Sequence, residues 1–216
     1  LIFFFFLTLI TFVGQICTFG FGNWIIKNNT TGNNSIGNYI SVLRAVLLIS
    51  ILSVFITSLA LDIISNYKMI NINVFYLLVI PFLSFKSLIL PYNQAEMLQN
   101  RGLLFDSILQ PFIFCCLMIS GIDIYLSYIS SVIIVVALFN VNVFFDYLKK
   151  DELIKITAIS NLVRKAFEFN KNQIVTILLS SAMMLVPSFL LIMADFAVFS
   201  ISMKLASMLT MVLTII

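Results

Sequence analysis

Lys86 lies inside the apolar run from Ile72 to about Met97, about 11 to 14 residues from its ends. At ~1.5 Å per residue that is roughly 16 to 20 Å, beyond the reach of a lysine stem that would otherwise carry its head to an interface. An ammonium at that depth costs from ~2.5 kcal/mol upward against hydrocarbon, so it must face a wet cavity or a partner. Asn93 and Asn100 follow at seven-residue steps and share its face on a continuous helix. Pro81 and Pro91 are expected to bend that helix and turn backbone carbonyls toward the same cavity. The chemistry these residues offer is recognition of an anion by a fixed positive charge and amide donors. The competing reading of Lys86 is a structural pairing with an acid on another helix.

Other ionisable residues give weaker signals. Lys204 stands seven residues into an apolar run that begins at Ala197, roughly 10 Å by the same rise, so snorkelling and lumen exposure both fit. Arg44 is nearer still to a span end and reads first as an interface anchor. Ser50, Ser53 and Thr57 form a polar stripe whose first explanation is helix packing. Asp62, Glu96 and Asp106 lie near span ends, where proton or sodium coupling is one role open to a carboxylate, though their spacing does not assign it. The chain has no His, and Cys17, Cys115 and Cys116 sit in apolar runs, which excludes a Cys/His metal site and a His-based triad. No metal, cofactor or catalytic set is expected, and no basic patch interleaved with exposed aromatics points to nucleic acid.

The elements that must position these residues are membrane helices. Hydrophobic residues make up 62% of the chain and charged ones 10%, against ~25% charged in soluble domains; the mean hydropathy is +1.14. Runs of roughly 20 apolar residues, long enough for a ~30 Å hydrocarbon layer, predict about seven spans. They cover 1–26, 39–64, 72–97, 103–122, 125–147, 173–194 and 197–216, giving an all-α polytopic bundle with no strand-type alternation. Leu1 opens directly in LIFFFFLTLI without a basic n-region, and MVLTII closes in mid-span. We therefore expect no signal peptide and read the chain as an internal fragment of a longer protein.

One long interruption breaks the apolar pattern, KKDELIKITAISNLVRKAFEFNK from Lys149 to Lys171. It holds six basic residues against three acids, an excess equal to the whole net charge of +3. Retention of Lys and Arg on the inner side places this linker in the cytoplasm. Alternation then puts Lys27, Arg44 and Arg101 on the same side, with Lys68, Asp123 and Asp195 opposite. At least one further span is expected before Leu1. Within the linker, Thr157, Asn161, Arg164, Lys165, Glu168, Lys171 and Asn172 fall on one helical face, and Ile156, Ile159, Val163, Ala166 and Phe167 on the other. That pattern predicts an interfacial helix joining two bundles, or else a solvated loop.

Several stretches resemble the oligosaccharide flippases of the multidrug/oligosaccharidyl-lipid/polysaccharide exporter superfamily, in particular the Wzx-type O-antigen branch. FGFGNWIIK, Phe19 to Lys27, is similar to the end of the family's second helix. PFLSFKSLILPYNQAEMLQNRGLLFDSIL, Pro81 to Leu109, is similar to its fourth and fifth helices with a short loop carrying Arg101 and Gly102. NLVRKAFEFNKNQIVTILLSSAMMLVPSFLLIMADFAVFSISMKLASM resembles the start of the second lobe, with the cation of VFSISMKLAS at Lys204. The short loop after Ile192 departs from the family, whose members carry more residues there around an acidic position.

The resemblance implies a two-lobe MATE-like transporter fold. Residues 1–148 would be the N-terminal lobe lacking its first helix, 149–172 the cytoplasmic linker, and 173–216 the start of the C-terminal lobe. It implies a non-enzymatic role in O-antigen and lipopolysaccharide biosynthesis. That role is flipping an undecaprenyl-diphosphate-linked oligosaccharide across the bacterial inner membrane by alternating access, with Lys86, Asn93, Lys204 and Arg44 as cavity candidates. Two alternatives remain at this stage: a multidrug exporter of the same superfamily, and an integral-membrane polysaccharide polymerase or glycosyltransferase. The former would favour acidic cavity residues; the latter would need a large outer loop or paired carboxylates.

Overall fold

The computed structural model describes residues 2–18, 20–31, 35–68, 73–148 and 159–169. The spans predicted at 173–194 and 197–216, with Lys204, lie outside these residues, as does most of the 149–172 linker. Every regular element described is helical: α1 Ile2–Cys17, α2 Phe21–Thr31, α3 Ser35–Lys68, α4 Val79–Ser87, α5 Ile89–Ala95, α6 Gln99–Leu103, α7 Gln110–Ile119, α8 Ile124–Leu148 and α9 Ile159–Phe169. Among the described residues, four stretches are long and apolar enough to cross a membrane: Ser35–Asp62, Phe75–Ala95, Gln99–Ile119 and Ile124–Phe145. A fifth forms if α1 and α2 are counted as one span bent by 44°. The chain is a membrane-embedded helical protein, and these five stretches coincide with the first five runs predicted from hydropathy.

The breaks follow from backbone chemistry. Gly20 sits at φ 69, a left-handed conformation that an L side chain resists, and the α1–α2 bend occurs there. Asn73 opens a 3₁₀ turn, Val74–Leu78, by accepting from the Phe75 N–H at 3.1 Å. Pro91 has no N–H for the Ser87 carbonyl. The helix accordingly steps at Leu88, whose N–H reaches back to Phe85 at 3.1 Å, separating α4 from α5. A tight turn at 96–98, with Met97 at φ 59, then divides α5 from α6. Between α6 and α7 the helix loosens into a π-helical turn, Leu104–Leu109, just ahead of Pro111. Asp123 caps α8 by accepting from the N–H groups of Tyr125 (2.9 Å) and Leu126 (3.4 Å).

Packing is that of an up-and-down bundle with two core clusters. One joins Phe21, Trp24 and Ile25 of α2, Tyr39, Val42 and Val46 of α3, Tyr92 and Ala95 of α5, Phe139 and Val143 of α8, and Leu162 and Ala166 of α9. The other joins Phe6 and Ile10 of α1, Leu61 of α3, Leu77, Val79, Ile80, and Val132 and Val136 of α8. The start of α3 thus meets the end of α8, and the end of α3 meets the start of α1, as alternating spans require. Ridges such as Leu47, Leu48, Ile51, Leu52, Phe55 and Ile56 on α3 are exposed, the composition that hydrocarbon demands of an outer face.

Candidate functional site

α4 lies at the centre of the bundle, packed against α1, α3 and α8. Its contact with α1 is close because Gly14 has no side chain: a Cβ there would stand 3.3 Å from Leu83 Cβ. The Ser84 hydroxyl, fully buried, donates to the Ile80 carbonyl at 2.9 Å and lies 3.3 Å from the Gly14 carbonyl, tying the two helices. The Cys17 thiol packs at the same seam against the Ser53 and Ser84 hydroxyls. This is the interhelical polar contact through which small residues hold membrane helices together, and Ser53 of the predicted stripe takes that role, whereas Ser50 donates to the Leu47 carbonyl of its own helix at 2.9 Å.

One step along α4, the backbones part and leave a cavity of about 140 Å³ lined by Thr11, Gly14, Gln15, Leu83, Lys86, Ser87 and Tyr128. Lys86 occupies the last turn of α4 and is half-buried. The Tyr128 side chain faces those of Thr11 and Gln110 across the same region, and Ser87 donates to the Ser84 carbonyl at 2.8 Å. Five of the seven lining residues carry polar side chains, so the space has the polar partners and the room that water needs. An ammonium, three hydroxyls and an amide form a donor-rich wall suited to an oxyanion. The volume matches a phosphate group with a few waters and falls well short of an oligosaccharide.

The other candidates are placed elsewhere. Asn93 is fully buried on α5, where its Nδ2 donates to the Ile89 carbonyl at 2.7 Å and its Oδ1 has no partner among the described residues. It packs against α6, since a Cβ on Gly102 would stand 3.0 Å from Asn93 Cβ, and it is not among the residues lining the Lys86 cavity. Asn100 is exposed on α6. The seven-residue register predicted for Lys86, Asn93 and Asn100 assumes one continuous helix, and the breaks at Leu88 and 96–98 remove that premise. Arg44 is exposed on α3 and lines no part of this cavity. Conversely, Thr11, Gln15 and Tyr128 line it without having been singled out. Gln15 and Gln110, polar residues inside apolar runs, were visible signals; Tyr128 was not distinguishable from an interfacial aromatic.

Comparison with known proteins returns nothing: no protein-family model matches the chain, and no curated protein or solved structure matches it significantly.

Proposed function

We propose that this chain is part of an exporter that carries an undecaprenyl-diphosphate-linked oligosaccharide outward across a bacterial inner membrane by alternating access. Residues 1–148 would act as the first lobe, 149–172 as a cytoplasmic hinge and 173–216 as the opening of the second lobe. The reading rests on one observation: a lysine at the middle of a membrane helix borders a donor-rich cavity between α1, α4 and α8. In such a protein the cavity takes the diphosphate, the polyprenyl tail stays in lipid, and the sugars need the wider passage that a second lobe would complete. The family resemblance of Pro81 to Leu109 supplies the substrate class. A multidrug exporter of cations is the poorer fit because its cargo would be repelled by Lys86.

The test is Lys86→Ala in the full-length gene. Export of lipid-linked oligosaccharide is expected to be lost, with unchanged protein level in the membrane, while Lys86→Arg keeps a measurable fraction. Undiminished export by Lys86→Ala would remove the cavity from the mechanism.

A further inference from the structure

The helix α9 divides its surface three ways. At about 100° per residue, Leu162 and Ala166 share one sector, Ile159, Val163 and Phe167 the next, and Ser160, Asn161, Arg164, Lys165 and Glu168 the remainder. Leu162 and Ala166 are buried in the core shared with α2 and α3. Ile159, Val163 and Phe167 are exposed at 38%, 39% and 49%. The apolar face read from sequence is thus split: of the described residues assigned to it, Ala166 is buried by the bundle, together with Leu162, and Ile159, Val163 and Phe167 form a second apolar ridge that is exposed.

A helix that meets protein, then an apolar medium, then a polar one around its circumference lies along a boundary. The neighbouring helix shows where the apolar medium begins. Val46 of α3 belongs to the same core cluster as Leu162 and Ala166, and the next two residues, Leu47 and Leu48, are exposed. The polar sector carries two cations against one acid. Arg164 pairs with Glu168 at 3.4 Å, with both side chains largely in solvent; such a pair is weak, and the guanidinium has five donors to share. We propose that α9 is seated in the headgroup region of the bilayer, its Ile159, Val163 and Phe167 ridge entering the acyl boundary and its Arg164 and Lys165 binding anionic phospholipid headgroups. The inference rests on membrane embedding and is independent of what the bundle transports.

The experiment uses the full chain reconstituted into phosphatidylcholine bilayers. The single tryptophan, Trp24, is buried at 3% exposure and gives the baseline, against which Val163→Trp reports the ridge. Lipids brominated near the headgroup end of the acyl chain are expected to cut the added emission roughly twofold, more than lipids brominated near the chain terminus. A small fraction of brominated phosphatidylglycerol is expected to quench it several-fold more than the same fraction of brominated phosphatidylcholine, and R164Q/K165Q is expected to equalise the two. High salt is expected to have the same effect. Equal quenching by both lipids in the parent charge background would overturn the headgroup preference. Emission quenched by aqueous iodide instead would put the ridge in water, and emission quenched by neither would mean another protein surface, such as a second copy, covers it; either result sinks the proposal. Ile159→Trp, one turn earlier, repeats the measurement if Val163→Trp does not yield a folded, helical protein.

Discussion

At the scale of single residues, Lys86 and Asn93 show how burial separates two polar groups of similar sequence promise. Both stand inside the same apolar run, but Lys86 opens onto a polar cavity while Asn93 is sealed between α5 and α6 with an unpaired Oδ1. An unsatisfied buried acceptor costs about 1–3 kcal/mol, and replacing it with an apolar group of the same shape is neutral or stabilising. Asn93→Leu is therefore expected to hold or raise thermal stability in detergent by up to about 1 kcal/mol and, on the export function proposed above, to leave export intact. A mutant that keeps its stability but stops exporting would return Asn93 to the transport route. The Nδ2 bond to Ile89 does not oppose this, because it runs to a carbonyl of the same helix and links nothing across the bundle.

At the scale of elements, the close crossings carry the fold. α2 and α5 approach so nearly that a Cβ on Gly22 would stand 2.9 Å from Pro91 Cγ. A proline ring cannot swing aside, so Gly22→Ala forces the helices apart, at a cost of about 1–3 kcal/mol by the usual penalty for overpacking. A fall in detergent melting temperature measures this; an unchanged value would show the crossing to be slack. Sequence pattern identified the five spans that fall on described residues because twenty-residue apolar runs have one stable solution in hydrocarbon, a helix with its backbone satisfied internally. It did not identify where those helices break. Pro91 marked a bend, and the step at Leu88 just before it separates Asn93 from the Lys86 register; the turn at Met97, which takes Asn100 off that face, has no Gly or Pro to announce it. The cavity was legible only through its lysine, since Thr11, Gln15 and Tyr128 are joined to it by packing between distant segments rather than by spacing. For α9, the periodicity put Ala166 on the apolar face but passed over Leu162, which the bundle buries completely, and it could not divide the apolar residues between the bundle and the outside.

At the scale of the whole molecule, the two core clusters fix which helix ends lie together, and the basic residues gather mostly at one of them. Lys27, Arg44, Arg101, Arg164 and Lys165 belong to elements at the cluster containing Leu162, alongside the acids Glu96 and Glu168, whereas the other cluster is bordered by Asp62 and Asp123 with Lys68 as the one described cation at the end of α3. By the positive-inside rule we propose that the α9 end of the bundle faces the cytoplasm. Gln99, exposed at the start of α6, and Ser120, exposed at the end of α7, bracket a single span and belong to opposite ends. In a background with Cys115 and Cys116 changed to Ala, Ser120→Cys is expected to react with a membrane-impermeant maleimide added to intact inner-membrane-accessible cells. Gln99→Cys is expected to react only after the membrane is opened. Cys17 stays silent in both because it is buried. Labelling of both positions from one side would mean that the Gln99–Ile119 stretch, the least buried of the described spans, re-enters rather than crosses. Labelling with the two sides exchanged would keep the span count but invert the bundle, leaving α9 against the outer leaflet, where its cations would have no inner-leaflet charge to answer.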